Sequence, residues 1–305
     1  MPPTTIRLAA LATIILIWGS TWAAIRLGLE GIPPFAGVAL RFAVASVVLL
    51  GLAWARGVPL GRSRVERRLW WVNGLCTFVL TYGLVYWAEQ RVPSGLTSVL
   101  FATFPLFVAL LAQGALPAER LTARSAAGVV VGFAGVAVIF SEDLAALAEP
   151  GAGRAAAVLL VAPLAAAVAN VAVKRWGRGV HPLSLTAVPM GLAAGIMGAA
   201  SLLFERDRPL VLDALSVGTV LYLAVLGSAV TFYLYFWLLE RMEATRLSLV
   251  TYLSPVVAVA LGAVLFDERI TARIALGGLL VIAGVAVTAG ARHGLRAKGD
   301  RGLPT

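Results

Sequence analysis

The sequence predicts an all-α integral membrane protein whose ten transmembrane helices form two inverted five-helix repeats. Three observations predict this fold class. Hydrophobic residues make up 60% of the 305 residues and charged residues only 13%, whereas soluble domains carry about 25% charged residues. The apolar residues lie in runs long enough to cross a bilayer, and motifs of the first half of the chain recur in the second half.

The apolar runs are bounded by charged residues and by proline or glycine, and each holds about 19 to 26 residues, close to the roughly 20 that a helix needs to cross a bilayer. We expect helices because lipid offers the backbone no hydrogen-bond partner, and because the runs are too long for barrel strands. The predicted spans are residues 6–29, 33–54, 68–88, 94–116, 122–140, 154–175, 181–203, 214–239, 244–266 and 271–290.

The formal net charge of +10 arises mainly from short connections between the apolar runs. It therefore indicates membrane topology and predicts no nucleic-acid partner. With a cytoplasmic N-terminus, 17 Lys and Arg residues fall on the cytoplasmic side and 7 on the other side, leaving out Arg41 within a span. The positive-inside rule then predicts that both termini are cytoplasmic. Residues 292–305 are a basic tail that we expect to be disordered.

The two halves of the chain resemble each other. The stretch Glu-Arg-Leu-Thr-Ala-Arg at 119–124 recurs as Glu-Arg-Ile-Thr-Ala-Arg at 268–273, and Gly-Val-Ala-Val occurs at both 135–138 and 284–287. Five spans per half is an odd number, so the second half enters the membrane from the opposite side, as in many transporters. Exchanging the conformations of such halves converts an inward-open state into an outward-open one. The predicted repeats cover residues 1–147 and 148–291.

Four stretches carry a family signature: Trp18-Gly19-Ser20-Thr21-Trp22, Arg41-Phe42, Pro105…Glu119-Arg-Leu-Thr and Pro255…Glu268-Arg-Ile-Thr. They resemble the EamA-type family of the drug/metabolite transporter superfamily, and the resemblance covers about residues 6 to 290. It implies a central cavity lined mainly by the first four helices of each repeat. It also implies a peripheral or dimerising place for the fifth and tenth helices, and the dimerising alternative would give a homodimer.

The resemblance further implies a function at a bacterial-type inner membrane. Members of this family export amino acids, related metabolites and some toxic compounds, usually without ATP. We therefore expect a secondary transporter that exports a small metabolite or drug by alternating access, with no cofactor. The resemblance does not name the substrate.

Aromatic side chains with polar tips recur inside the predicted spans. The candidates for substrate binding are Trp18, Trp22, Tyr82, Tyr86, Tyr235 and Tyr252. Pairs spaced by four residues share one helix face, and their rings suit a cavity for amphipathic or cationic ligands. An aromatic belt at the membrane interface is the alternative for such residues.

Polar and charged groups inside spans are costly, so they are functional candidates. Arg41 lies well inside the second span, and Asn170 and Lys174 share one face of the sixth. We predict that Arg41 and Asn170 bind substrate, together with Ser20 from the first-span motif. For Arg41, pairing with a helix-end carbonyl or snorkelling to the interface is the alternative. For Lys174, interfacial anchoring and a place at a mouth of the cavity both stay open.

Two prolines, Pro105 and Pro255, lie inside predicted helices at matched positions of the two halves. Proline kinks a helix because it lacks the N–H that would bond to the carbonyl four residues earlier. Kinks at corresponding points of two repeats predict a hinge, whereas a role in packing alone is the alternative. Gly128 and Gly132 form a GxxxG pattern that favours close helix packing, more simply within the chain than in a dimer.

The remaining chemistry of the chain favours transport over catalysis. The carboxylates lie at or near span ends, and Glu89 is the best of them as a proton site, so an uncoupled facilitator or channel stays an alternative. A membrane-embedded enzyme is the other alternative, but His181 and His293 are the only histidines and no HExxH motif is present. We therefore predict no enzymatic activity and no metal.

Overall fold

A computed structural model describes residues 4–92, 94–119, 121–141, 148–257 and 271–290, with only the backbone at residues 94 and 95. All regular secondary structure within these ranges is helical. Three predictions lie outside the described residues: the disordered tail 292–305, the end of the ninth span, and the Glu-Arg-Ile stretch at 268–270.

The described helices agree with the predicted all-α membrane protein. In chain order they are α1 (Thr4–Gly28), α2 (Pro34–Ala55), α3 (Arg64–Ala88), α4 (Leu96–Ala115), α5 (Ala123–Ile139), α6 (Ala152–Trp176), α7 (Pro182–Phe204), α8 (Ala214–Arg241), α9 (Ala244–Ser248) and α10 (Ala272–Gly290). Eight of them, all except α5 and α9, are long and apolar enough to cross a membrane. After a one-residue interruption at Leu249, helix resumes to residue 257.

Local sequence sets where several helices begin. Ser63, Thr122 and Asp213 each accept a hydrogen bond from the backbone N–H three residues later, at 3.0, 3.1 and 2.7 Å. These side chains satisfy N–H groups that have no partner within the first turn. Pro34 and Pro182 occupy the first turn of α2 and α7, where the missing proline N–H costs nothing.

Close packing and hydrogen bonds between helices are illustrated by α2 with α7 and by α5 with α10. Ser46 on α2 donates to the carbonyl of Ala187 on α7 at 2.8 Å. On α5 and α10, Gly128 and Gly284 lie so close that a Cβ built on Gly284 would be 2.5 Å from the Gly128 carbonyl oxygen. The GxxxG pattern thus serves packing within the chain, where small residues let two backbones approach.

Besides the interruption at Leu249, four of the long helices are interrupted within the bundle. Two interruptions are π-helical segments, Asn73–Thr81 in α3 and Val225–Val230 in α8. Helix α4 is broken at Ala102 and Thr103, and α6 at Leu160. Such interruptions leave backbone groups without their usual helical partners, and π segments often occur at functional sites.

Candidate functional site

A cavity of about 900 Å³, counted with the open space at its mouth, lies between α1, α2, α3, α4, α6, α8 and the helical stretch that follows α9. Most of its wall is apolar or aromatic. Seven residues predicted from the sequence lie on this wall: Trp18, Trp22, Arg41, Tyr82, Asn170, Tyr235 and Pro255.

Aromatic rings form the side of the cavity between α1 and α8. The Trp18 ring centroid is 5.4 Å from that of Phe232 and 5.5 Å from that of Tyr235. Trp22 contacts Phe101 of α4 edge-on at 5.9 Å. These are favourable separations for tilted and edge-to-face pairs. Trp18 and Trp22 of α1 therefore face the cavity rather than forming a belt at the membrane interface.

Hydrogen bonds fix the polar tips of this aromatic wall. Trp18 Nε1 donates to Thr231 Oγ1 at 3.1 Å, and Asn170 Nδ2 donates to the Tyr235 hydroxyl at 2.5 Å. Asn170 is only 4% exposed, and its Oδ1 has no hydrogen-bond partner among the described residues. An unsatisfied buried acceptor costs about 1–3 kcal/mol. The Asn170 amide can therefore accept a hydrogen bond from a bound molecule.

Arg41 is the one charged side chain on the described part of the cavity wall, and it is 1% exposed. Its Nε donates to Ser228 Oγ at 2.7 Å and one Nη donates to the Gly227 carbonyl at 3.0 Å. The other Nη lies 3.4 Å from the Tyr86 hydroxyl, and the guanidinium carbon is 4.6 Å from the Tyr82 ring centroid. These are neutral partners, which orient the guanidinium group without neutralising its charge.

The π-helical segment of α8 explains how Arg41 is held. Gly227 lies within Val225–Val230, where the helix is wider and carbonyl groups are freed from their usual partners. The Gly227 carbonyl accepts from Arg41, while Ser228 Oγ in turn donates to the Leu223 carbonyl at 2.8 Å. The π segment of α3 also contributes to the cavity wall, through Thr77 and Thr81.

A polar cluster joins α9 to the ends of three helices that line the cavity, α4, α6 and α8. Lys174, in the last turn of α6, donates to the carbonyls of Leu239 and Met242 at 2.8 and 2.6 Å. Its Nζ is 3.3 Å from Glu119 Oε1, and Glu119 Oε2 accepts from the Ala244 N–H at 2.8 Å. We call these five residues the Lys174 cluster. It links α6 to the end of α8, the start of α9 and the turn after α4.

Four predicted site residues lie off the described cavity wall. Ser20 bonds to the Tyr222 hydroxyl, and Tyr86 lines a smaller cavity next to Arg41. Tyr252 packs the helical stretch that follows α9 onto α5, with its hydroxyl donating to the Val129 carbonyl at 3.0 Å. Pro105 lies in the first turn of the second part of α4, directly after the break at 102–103. The hinge role of Pro105 and Pro255 stays a prediction.

The wall includes residues that the sequence analysis did not single out. They are mostly small hydroxyl residues and phenylalanines: Thr21, Thr77, Thr81, Ser98, Phe101, Phe104, Phe232, Phe236, Thr251 and Ser254. Helical spacing could have found some of them, since Phe232 and Phe236 share a face with the predicted Tyr235. The hydroxyl residues have no such signal, because threonine and serine also occur in ordinary transmembrane packing.

No carboxylate, histidine or cysteine lies on the described cavity wall. Both carboxylate oxygens of Glu89 are shielded from solvent and lack a hydrogen-bond partner among the described residues, but Glu89 does not line the cavity. Within the described ranges, no three His, Cys, Asp or Glu side chains cluster in a way that could hold a metal ion. Proton coupling through Glu89 stays a prediction.

Known proteins that resemble this chain do so over about nine tenths of its length, and most of those named here are called transporters. The EamA-like transporter family matches residues 5–141 and again residues 153–290. "Uncharacterized transporter YoaV" of Bacillus subtilis is 28% identical over 273 residues, 90% of this chain and 93% of the relative. "Uncharacterized inner membrane transporter YedA" of Escherichia coli K12 is 31% identical over 286 residues, 92% of this chain and 90% of the relative.

Two further matches concern function and fold. "Probable terminal-alkyne amino-acid exporter" of Streptantibioticus cattleyicolor is 32% identical over 286 residues, 90% of this chain and 91% of the relative. A solved structure, "Crystal structure of protein", has a TM-score of 0.79 at 22% sequence identity and covers 96% of this chain and 99% of that chain, which shows a shared fold. The predicted resemblance is confirmed: the chain is a membrane transporter that belongs to the EamA-like transporter family.

Proposed function

We propose that the protein is a secondary transporter that exports a small metabolite, an amino acid or a related compound, or a drug, by alternating access. The observation that carries this proposal is an aromatic cavity whose lining helices are joined at one end by the Lys174 cluster. Polar contacts that join helix ends can open and close, and alternating access needs such contacts at each mouth in turn. The Lys174 cluster is then one closed mouth.

The predicted architecture is part of the proposal. Ten spans in two inverted repeats, residues 1–147 and 148–291, would let the halves exchange conformations. The family matches support this division, because the same family matches each half separately. The π segments support it too, since Asn73–Thr81 and Val225–Val230 occur at similar places in the two halves. We further propose an inner-membrane location with both termini in the cytoplasm, from the distribution of Lys and Arg.

The direction and substrate class rest on two further observations. One relative at 32% identity is named as an amino-acid exporter, and the cavity offers both an uncompensated cation and an amide acceptor. An uncoupled facilitator stays the alternative, and the lack of a carboxylate on the described cavity wall supports it. The joined helix ends count against an open channel. A homodimer stays a prediction from the family resemblance.

Saturable uptake into proteoliposomes tests the proposal. A panel of labelled amino acids and lipophilic cations is offered with and without an imposed pH gradient, and we expect saturable flux of one class. Flux that rises with the gradient would indicate a coupled carrier, and flux that ignores it a facilitator or exchanger. Replacing Trp18, Tyr82 or Asn170 singly with alanine should reduce flux while membrane expression stays normal. Wild-type flux in all three variants would contradict the proposal that the cavity binds the transported compound.

A further inference from the structure

We propose that Arg41 is the anchor for an anionic group of the substrate, so that the cavity selects carboxylates and zwitterions and rejects simple cations. This inference rests on the proposed transport function and names the substrate class of the same cavity. It differs from the expectation drawn from the aromatic rings alone, which suit cationic ligands equally well.

The first step of the argument is charge balance. A buried ion is costly unless an opposite charge lies beside it. Arg41 is 1% exposed, and no carboxylate of the described residues lies within ion-pair distance of it. Glu89 acts on Arg41 only at longer range and does not line the cavity. A ligand carboxylate would supply the missing negative charge at the cavity wall.

The second step concerns geometry. A guanidinium group has five N–H donors in one plane. Each of the three nitrogens donates one hydrogen bond, to Ser228, Tyr86 and Gly227 respectively, so the orientation of the group is fixed. Each Nη carries a second N–H in the same plane, and a carboxylate is the partner that best fits such a planar fork. Holding by neutral groups fixes the orientation before the ligand arrives.

The third step concerns the rest of the wall. No other charged side chain lies on the described wall, so Arg41 alone determines the sign of its charge. A lipophilic cation would meet this charge at low dielectric with no carboxylate to offset it. The unpaired Oδ1 of Asn170 adds an acceptor that a ligand ammonium or hydroxyl can use. Aromatic rings between these polar groups suit an apolar side chain.

Four compounds with the same phenyl group test the inference: phenylalanine, 3-phenylpropionate, phenylalaninamide and phenethylamine. Their binding to the purified protein in nanodiscs is measured by calorimetry. We expect the two carboxylates to bind at least about tenfold more tightly than the amide and the amine, which is the size of a hydrogen bond to a charged group. Equal or tighter binding of the amide or the amine, or no binding of any of the four, would overturn the inference.

Variants separate a charge effect from a structural one. Arg41→Gln should weaken binding of the carboxylates roughly 10- to 100-fold and change amide binding little. Arg91→Gln removes an equal charge that stacks on Trp87 away from the cavity, and it should leave the preference intact. Arg41→Lys keeps the charge and should keep the preference for carboxylates. If Arg41→Lys and Ser228→Ala abolish that preference as fully as Arg41→Gln, Arg41 only holds the α8 segment and the inference is wrong.

Flux measured on the same compounds keeps the two proposals apart. Carboxylate binding that depends on Arg41, without flux into proteoliposomes, would refute transport and leave the anchor standing. Saturable flux that favours the amine would support transport and refute the anchor.

Discussion

If the Lys174 cluster is a closed mouth of the cavity, as we propose, removing the Lys174 ammonium group should open that end. Lys174→Met keeps the length and the apolar stem of the side chain but removes its charge and its donors. Two carbonyls and one Glu119 oxygen then lose their partner at once. The neighbouring variant Arg175→Met is the matched control, because Arg175 is exposed, stacks on Trp176 and takes no part in the cluster.

The structure gives the size of the expected effect. The 3.3 Å separation of Lys174 and Glu119 corresponds to about 5 kcal/mol of gross attraction at an effective dielectric constant of about 20. Lost solvation offsets part of this, although the two side chains are only 17% and 10% exposed. A net loss of about 1.5 to 3 kcal/mol is typical for hydrogen bonds to a charged group. The open fraction should then rise roughly 10- to 150-fold.

Cysteine labelling measures that open fraction. With Cys76→Ser as background, Ala166→Cys places a thiol on the cavity wall two turns before Lys174. An impermeant maleimide is added from each side of oriented vesicles. Lys174→Met should speed labelling from the side of the cluster by about the factor given above, if opening is fast compared with labelling. Unchanged labelling in Lys174→Met, or an equal rise in Arg175→Met, would refute this account of the closed mouth.

Two further predictions concern stability. Gly284→Ala should lower the melting temperature in detergent, because its Cβ would lie 2.5 Å from the Gly128 carbonyl oxygen and overpacking costs about 1–3 kcal/mol. The control is Gly278→Ala, which has open space around it and should leave the melting temperature unchanged. His181 caps α7 through Nδ1, and burial together with the field of Arg56 lowers the pKa of the imidazole. The neutral cap should stabilise the fold above the unfolded pKa of about 6.5, with stability lost as the pH falls below it. His181→Asn, which caps the helix without titrating, should flatten that pH dependence of the melting temperature. An unchanged slope of melting temperature against pH in this variant would contradict the prediction.

The sequence predicts most of the helices, because hydrophobic runs and their breaks are local signals. The second predicted span, 33–54, is α2 at Pro34–Ala55, and the seventh, 181–203, is α7 at Pro182–Phe204. Both begin at prolines, whose preference for the first turn is readable from sequence. Aromatic spacing likewise placed Trp18 and Trp22 on one face of α1, and that face lines the cavity.

Features that depend on contacts between distant residues could not be predicted in this way. The π segment of α8 bonds to Arg41, 186 residues earlier in the chain, and no local pattern indicates such a partner. Tyr252 resembles the other tyrosine candidates in sequence, yet its ring packs against Gly132 on α5. The ion pair of Glu119 with Lys174 could not be predicted from the sequence either, because it forms only when the ends of α6, α8 and α9 meet.

Counterflow in proteoliposomes tests alternating access most directly. Vesicles loaded with a high concentration of an unlabelled compound that the protein transports are diluted into a trace of the same compound with label. An alternating carrier exchanges the two, so the label should accumulate transiently inside above its equilibrium level, and Lys174→Met should reduce this overshoot. A label that only equilibrates, with no overshoot in the unmodified protein, would show a channel-like path and contradict the account.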